Sequence, residues 1–107
     1  MEVSEHLQVV VVEAGPEARL QVAGELDIHT AGKLARHLGA VGPDVRRILL
    51  DLSELEFMDS LGLGVVLSAR TRAQARGCDL IVTAASPPVA HLFTLAGVDR
   101  LLLAGRS

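Results

Sequence analysis

The sequence predicts a single α/β domain with a mostly parallel, mixed β-sheet packed against helices, and three observations carry that expectation. Short apolar runs alternate with segments whose apolar residues recur at helical spacing. The chain has 107 residues, which suits one domain spanning 1–107 and one core. Half of the residues are hydrophobic but only 2% are aromatic, so the core must be built from Val, Leu, Ile and Ala.

The elements follow in order. Val9-Val10-Val11-Val12 is a β-branched cluster that reads as a strand. Gly15-Pro16 marks a turn. Ala18, Leu20 and Val22 then alternate with Arg19 and Gln21, as in a strand with one buried face. The short connection predicts an antiparallel hairpin. Gly24 to His29 reads as a loop, and Thr30 as the cap of a helix whose apolar face is Ala31, Leu34, Leu38 and Val41. Gly42-Pro43 should stop that helix. Ile48-Leu49-Leu50 fits a central parallel strand covered on both faces and ending near Asp51. A second helix is expected from about Ser60 to Arg76, with Arg70, Arg72 and Arg76 towards the negative end of its dipole and Gly77 as its stop. Leu80-Ile81-Val82 is a further strand. Ser86 should cap a third helix, with Pro87 and Pro88 in its first turn and Val89, Leu92, Phe93 and Ala96 towards the core. Leu101-Leu102-Leu103 is expected to form a last strand.

Composition excludes several functions. The formal net charge is -3, without the basic face that phosphate-backbone binding requires, so direct nucleic-acid binding is not expected. No apolar run is long enough to span a bilayer, so no membrane partner is expected. Met1 to Gln8 lacks the basic flank and apolar stretch of a secretion signal, which points to the cytoplasm. The single cysteine, Cys78, reads as a small hydrophobe near a strand start.

Two segments carry candidate chemistry. The first is Phe57-Met58-Asp59-Ser60-Leu61-Gly62-Leu63-Gly64. A strand ends and a helix begins there, and sites in open α/β sheets form outside the carboxyl ends of strands. Ser60 falls at or near the helix N-cap, where free amides and the helix dipole favour an anion such as a phosphate. Gly62 and Gly64 should leave the first turn uncrowded for an approaching partner, and Asp59 sets a carboxylate beside the hydroxyl. Asp-Ser before an apolar helix is also an ordinary cap. The second segment is Gly24-Glu25-Leu26-Asp27-Ile28-His29-Thr30, compatible both with a solvated loop and with a partner-binding loop at the same end of the sheet. His6, His37 and His91 show no ligand spacing with Asp27 and His29, so no metal is expected. A nucleophile elbow needs Gly two residues before the serine, where this chain has Met58. Gly62 and Gly64 lack the third glycine of a dinucleotide fingerprint, since position 67 is Leu, and there is no Walker lysine. No cofactor and no catalytic residues are expected, and the chain does not read as an enzyme.

Leu52-Ser53 together with Phe57 to Gly64 resembles the signature of STAS domains in anti-sigma factor antagonists. Gly24-Glu25-Leu26-Asp27 resembles their other recurrent motif, and Ser86-Pro87-Pro88-Val89 with Leu92-Phe93 the start of their third core helix. The similarity covers nearly the whole chain in order. It implies that the unphosphorylated chain binds an anti-sigma factor with serine kinase activity and so releases a sigma factor. It implies that phosphorylation of Ser60 switches binding off and that a phosphatase resets it. Carried over by motif, the phosphorylated serine is Ser60, Asp59 matches the preceding acid, and Glu25 and Asp27 match the acids of the loop that faces the partner; with His29, Thr30, Leu61, Gly62 and Gly64 of the same two segments they make up the expected partner-binding residues. Leu61 departs from the second serine that sporulation-type members often carry. The chain stops soon after the last expected strand, where many relatives continue into a helix, so an exposed strip at Leu101 to Leu103 would favour self-association. The alternative function is an interaction module of a transport or signalling complex that is never phosphorylated.

Overall fold

The computed structural model describes residues 6–98. The elements are β1 (Leu7–Ala14), β2 (Glu17–Leu26), α1 (Ala31–Gly39), β3 (Arg47–Met58), α2 (Ser60–Ala75), β4 (Asp79–Ala85) and α3 (Pro87–Ala96). The strands form one sheet in the order β1-β2-β3-β4. β1 pairs antiparallel with β2 across the Gly15-Pro16 turn, and the β2–β3 and β3–β4 pairs are parallel. The expected mixed α/β architecture and hairpin are therefore observed. Gly15 has φ 61°, the conformation that a tight hairpin asks of its first central residue.

Alternation decides which face is buried. Ala18, Leu20 and Val22 of β2, Ile48, Leu50 and Leu52 of β3, and Leu80 and Val82 of β4 are buried in one core with Leu34 and Leu38 of α1, Leu63 and Val66 of α2, and Val89 and Phe93 of α3. Their neighbours on the other face are not buried: Arg19, Gln21 and Thr83 are exposed, and Leu49 and Ile81 half-buried. The expectation that Ile48-Leu49-Leu50 is covered on both faces is thus corrected. Among the described residues the domain has two layers, and its shortest extent is 19 Å.

Three boundaries differ from expectation. β2 runs on through Gly24 to Leu26, and β3 runs far past Asp51 to Met58. Register shifts between Gln21 and Ala23 and between Gly24 and Glu25 turn the period-two pattern of β3 into the three-residue steps Leu52, Leu55 and Met58, all buried. α1 ends at Gly39 rather than at Gly42-Pro43. Val41 still reaches the core, but from a turn in which its N–H bonds the Leu38 carbonyl. Cys78 is buried just before β4, as expected. The expected strand Leu101 to Leu103 lies outside the described residues.

The caps show how local chemistry redistributes. Ser86 is the N-cap residue of α3 but makes no side-chain cap bond. Proline at N1 and N2 removes the nearest N–H that its hydroxyl could meet. Gly97 ends that helix in the left-handed conformation, φ 74°.

Candidate functional site

The site is built where β2 and β3 end side by side. Glu25 pairs with Phe57 and Leu26 with Met58, so the two loops that follow leave the sheet together. One carries Asp27 to Thr30, and the other leads within two residues into α2. The Asp59 N–H donates to the Leu26 carbonyl at 3.3 Å and ties the two exits.

Asp59, not Ser60, is the N-cap of α2. Its Oδ1 accepts the Gly62 N–H at 2.9 Å, satisfying one of the free amides of the first turn. Ser60 is thereby the first helical residue, exposed beside a held carboxylate. Gly62 is buried: a Cβ there would lie 2.8 Å from Leu26 Cγ and 3.0 Å from the Leu26 carbonyl oxygen. The expectation that Gly62 opens the turn to a partner is corrected, because its missing side chain lets Leu26 pack against α2. Gly64 has nothing within 4 Å of a would-be Cβ and does leave open space.

Thr30 also differs from its expected role. Its hydroxyl makes no cap bond with α1. Instead Oγ1 donates to the Glu25 carbonyl at 2.7 Å and accepts from the Asp27 N–H at 3.0 Å. The residue is buried and holds the loop from below. Asp27 Oδ1 accepts the His29 N–H at 2.9 Å, closing a tight turn that leaves His29 and Ile28 outermost. Glu25 is half-buried, with its carboxylate 3.9 Å from the His6 imidazole.

Ser60 shares a groove with Leu61, and two further exposed apolar residues lie at or just beyond the strand ends nearby. Leu61, Phe57 and Ile28 are exposed by 47, 47 and 70%, all at this end of the sheet. Glu25, Glu54 and Glu56 line a shallow depression with His6 and Gln8. The exposure of Phe57 and Ile28 was not expected from the sequence. The signal was present, since the adjacent apolar pair Phe57-Met58 at a strand end must point to opposite faces. A groove of about 630 Å³ runs between α1 and α2 from Ser60 and Leu61 to Arg72 and Arg76. Its lining contains no His, Asp or Glu that could serve Ser60 as a general base. Among the described residues no group of His, Cys, Asp or Glu is placed to hold a metal ion, and no helix is long and apolar enough to cross a membrane.

The family model described as Mlab, STAS domain matches residues 9–104. The chain belongs to the STAS-domain family. It is 29% identical over 104 residues to the anti-sigma F factor antagonist of Paenibacillus polymyxa, across 95% of this chain and 82% of that protein. An anti-sigma factor antagonist from Mycobacterium paratuberculosis superposes with a TM-score of 0.80 at 25% identity, over 95% of this STAS domain and 87% of that chain. The anti-sigma factor antagonist SpoIIAA in its unphosphorylated form superposes with a TM-score of 0.75 at 25% identity, over 86% and 83%.

Proposed function

We propose that this STAS domain is a cytoplasmic anti-sigma factor antagonist, switched off by phosphorylation of Ser60. The observation that carries the reading is the placement of Ser60, an exposed residue on the first turn of α2 next to the exposed Leu61. Relatives named as antagonists, one of them described by its phosphorylation state, support it. The unphosphorylated face docks an anti-sigma factor with serine kinase activity through Leu61, Phe57 and Ile28, with Glu25, Asp27, His29 and Asp59 at the rim. Thr30 and Gly62 hold the loop and helix in place beneath. The domain itself carries out no catalysis, needs no cofactor and does not contact nucleic acid.

The physics of the switch is local. Phosphorylation adds close to two negative charges and three acceptor oxygens. The helix N-terminus tolerates them within the antagonist. Docking does not, because a dianion beside Leu61 must be desolvated against the surface that had covered an apolar patch. A loss of about 3 kcal/mol weakens affinity more than a hundredfold. A phosphatase then restores the hydroxyl.

The test is binding to the anti-sigma factor recovered from the native cells, with and without ATP. Wild type should lose binding as phosphate accumulates on Ser60. Ser60→Ala should bind regardless of ATP, and Ser60→Asp should bind more weakly than Ser60→Ala. Phe57→Ala should weaken binding at least tenfold while the fold is kept. Binding by wild type that is indifferent to ATP, with Ser60 unmodified in every growth condition, would replace this reading with an unphosphorylated interaction module of a transport or signalling complex.

A further inference from the structure

β1 lies at the sheet edge, and among the described residues no strand pairs with its outer side. Its register with β2 runs from Leu7 opposite Gly24 to Ala14 opposite Glu17 with no bulge. The strand reads Leu-Gln-Val-Val-Val-Val-Glu-Ala, with none of the Lys, Arg or Pro residues that commonly block a free edge. Val10, Val11 and Val12 are exposed by 55, 38 and 56%.

The two-residue turn determines which main-chain groups are free. Ala14 and Glu17 flank it and form a hydrogen-bonded pair, and bonding alternates from there. The N–H and C=O groups of Leu7, Val9, Val11 and Glu13 therefore point out of the edge. At Leu7 the outward carbonyl is already taken by Lys33 Nζ at 2.7 Å. The open stretch is Gln8 to Ala14.

We propose that this stretch pairs antiparallel with the same stretch of a second copy, about a two-fold axis through Val11. The four described strands of each copy then join into one sheet. Outward-facing residues must meet one another, so the axis passes through a residue and not between two. Centring on Val10 or Val9 would bring Leu7 into the ladder, where Lys33 stands. Centring on Val11 pairs Val10 with Val12 of the copy and Val9 with Glu13 of the copy. The only charged side chain of the strand thus avoids its own counterpart. The two Glu13 residues lie about four residue steps apart, roughly 14 Å along the strand, which is beyond the ~8 Å screening length at physiological salt. A second copy fits this edge because the pairing is self-complementary and closed. Val11 lies on the helix-layer side, and its exposure shows that α1 leaves room there. The Leu7 end, nearest the Ser60 site, is outside the pairing, so both phosphorylation sites stay open.

One strand of seven residues is about 24 Å long and makes a contact below the ~1,200 Å² of a standard interface. The dimer should therefore form with concentration rather than be obligate. Sedimentation equilibrium of the full chain from about 1 µM to about 1 mM should show the mass rising from monomer towards dimer, a range suited to so small an interface. Val10→Lys/Val12→Lys sets like charges opposite each other and should remain monomeric throughout. Val10→Lys/Val12→Glu sets each introduced lysine opposite an introduced glutamate of the copy and should restore the dimer. Both positions are exposed, and circular dichroism confirms that each variant is folded. Wild type that stays monomeric at the highest concentration overturns the proposal and leaves the edge to residues 99–107 or to another protein's extended segment. A double-lysine variant that dimerises like wild type overturns the β1 interface. Failure of the lysine–glutamate variant to recover overturns the Val11 register.

Discussion

Replacing Gly62 and Gly64 by alanine, one at a time, separates two glycines of the same helix that look equivalent in sequence. Alanine is favoured over glycine in a helix interior by about 1 kcal/mol. At Gly64 nothing opposes that gain, because a Cβ meets no atom within 4 Å. At Gly62 the new methyl would stand 2.8 Å from Leu26 Cγ, 3.0 Å from Leu26 Cδ2 and 3.0 Å from the Leu26 carbonyl oxygen. Leu26 is fully buried, so its side chain can move only by displacing core neighbours. Its carbonyl is backbone, held by the Asp59 N–H, so relief requires moving the exit of β2. Overpacking of this kind costs about 1–3 kcal/mol, and the backbone contact favours the upper part of that range. The net loss for Gly62→Ala is then about 1–2 kcal/mol. For 107 residues the unfolding entropy is roughly 0.22 kcal/mol/K, so 1 kcal/mol moves Tm by about 4 °C. Thermal unfolding should show Gly64→Ala raised by about 4 °C and Gly62→Ala lowered by about 4–9 °C, with urea midpoints moving in the same directions. A Gly62→Ala protein as stable as Gly64→Ala would refute the packing of Leu26 against α2, and with it the account of how the β2 exit is held at the Ser60 site.

Thr30→Val keeps the shape of a buried side chain but strands the Asp27 N–H and the Glu25 carbonyl. It should cost about 1–3 kcal/mol, read as a lowered urea midpoint, whereas a mere cap residue without its bond would be nearly silent. Burial pushes the Cys78 thiol above its ordinary value of 9.0, while Arg76 pulls it partly back. The fold favours the protonated thiol, so its contribution is complete below pH 9.0 and fades as pH rises beyond that value. Iodoacetamide at about pH 8 should leave the native protein unlabelled and label it fully in denaturant; labelling of the native protein at the rate of a free thiol would contradict the buried position.

Much of this fold can be read from particular residues. The valine cluster, the Gly15-Pro16 turn and the alternation of Ala18, Leu20 and Val22 specify the hairpin without further help. β3 was mostly hidden, because bulges in its pairing with β2 break the period of two on which strand recognition depends. Leu52, Leu55 and Met58 are spaced as on a helix, yet all three face the core from a strand. The site was legible in outline for a different reason. An acid and a serine between a strand and a helix have few places to go, and the parallel topology brings the segment after Leu26 alongside them. Which residues were support and which were surface was not legible. Thr30 and Gly62 are small and suited to loops, so sequence alone could not show that both are buried. Phe57 and Ile28 are apolar, and apolarity by itself argues for the core. Exposure had to be seen in three dimensions.

Under the proposed switch, the division into support and surface would let so small a domain change state without rearranging. Ser60 sits on a helix whose first turn is fixed at three points: the Asp59 carboxylate on the Gly62 N–H, the Asp59 N–H on the Leu26 carbonyl, and Leu26 against Gly62. None of these contacts uses the Ser60 side chain. A phosphate there adds charge to a turn whose packing does not depend on the hydroxyl, so the sheet and helices have no reason to move. Backbone chemical shifts of the phosphorylated protein should change around residues 57–64 and 25–30 and remain unchanged across β4 and the body of α2. Shifts spread through the sheet would show that the switch works by rearranging the fold, and the argument from a preformed helix terminus would fail.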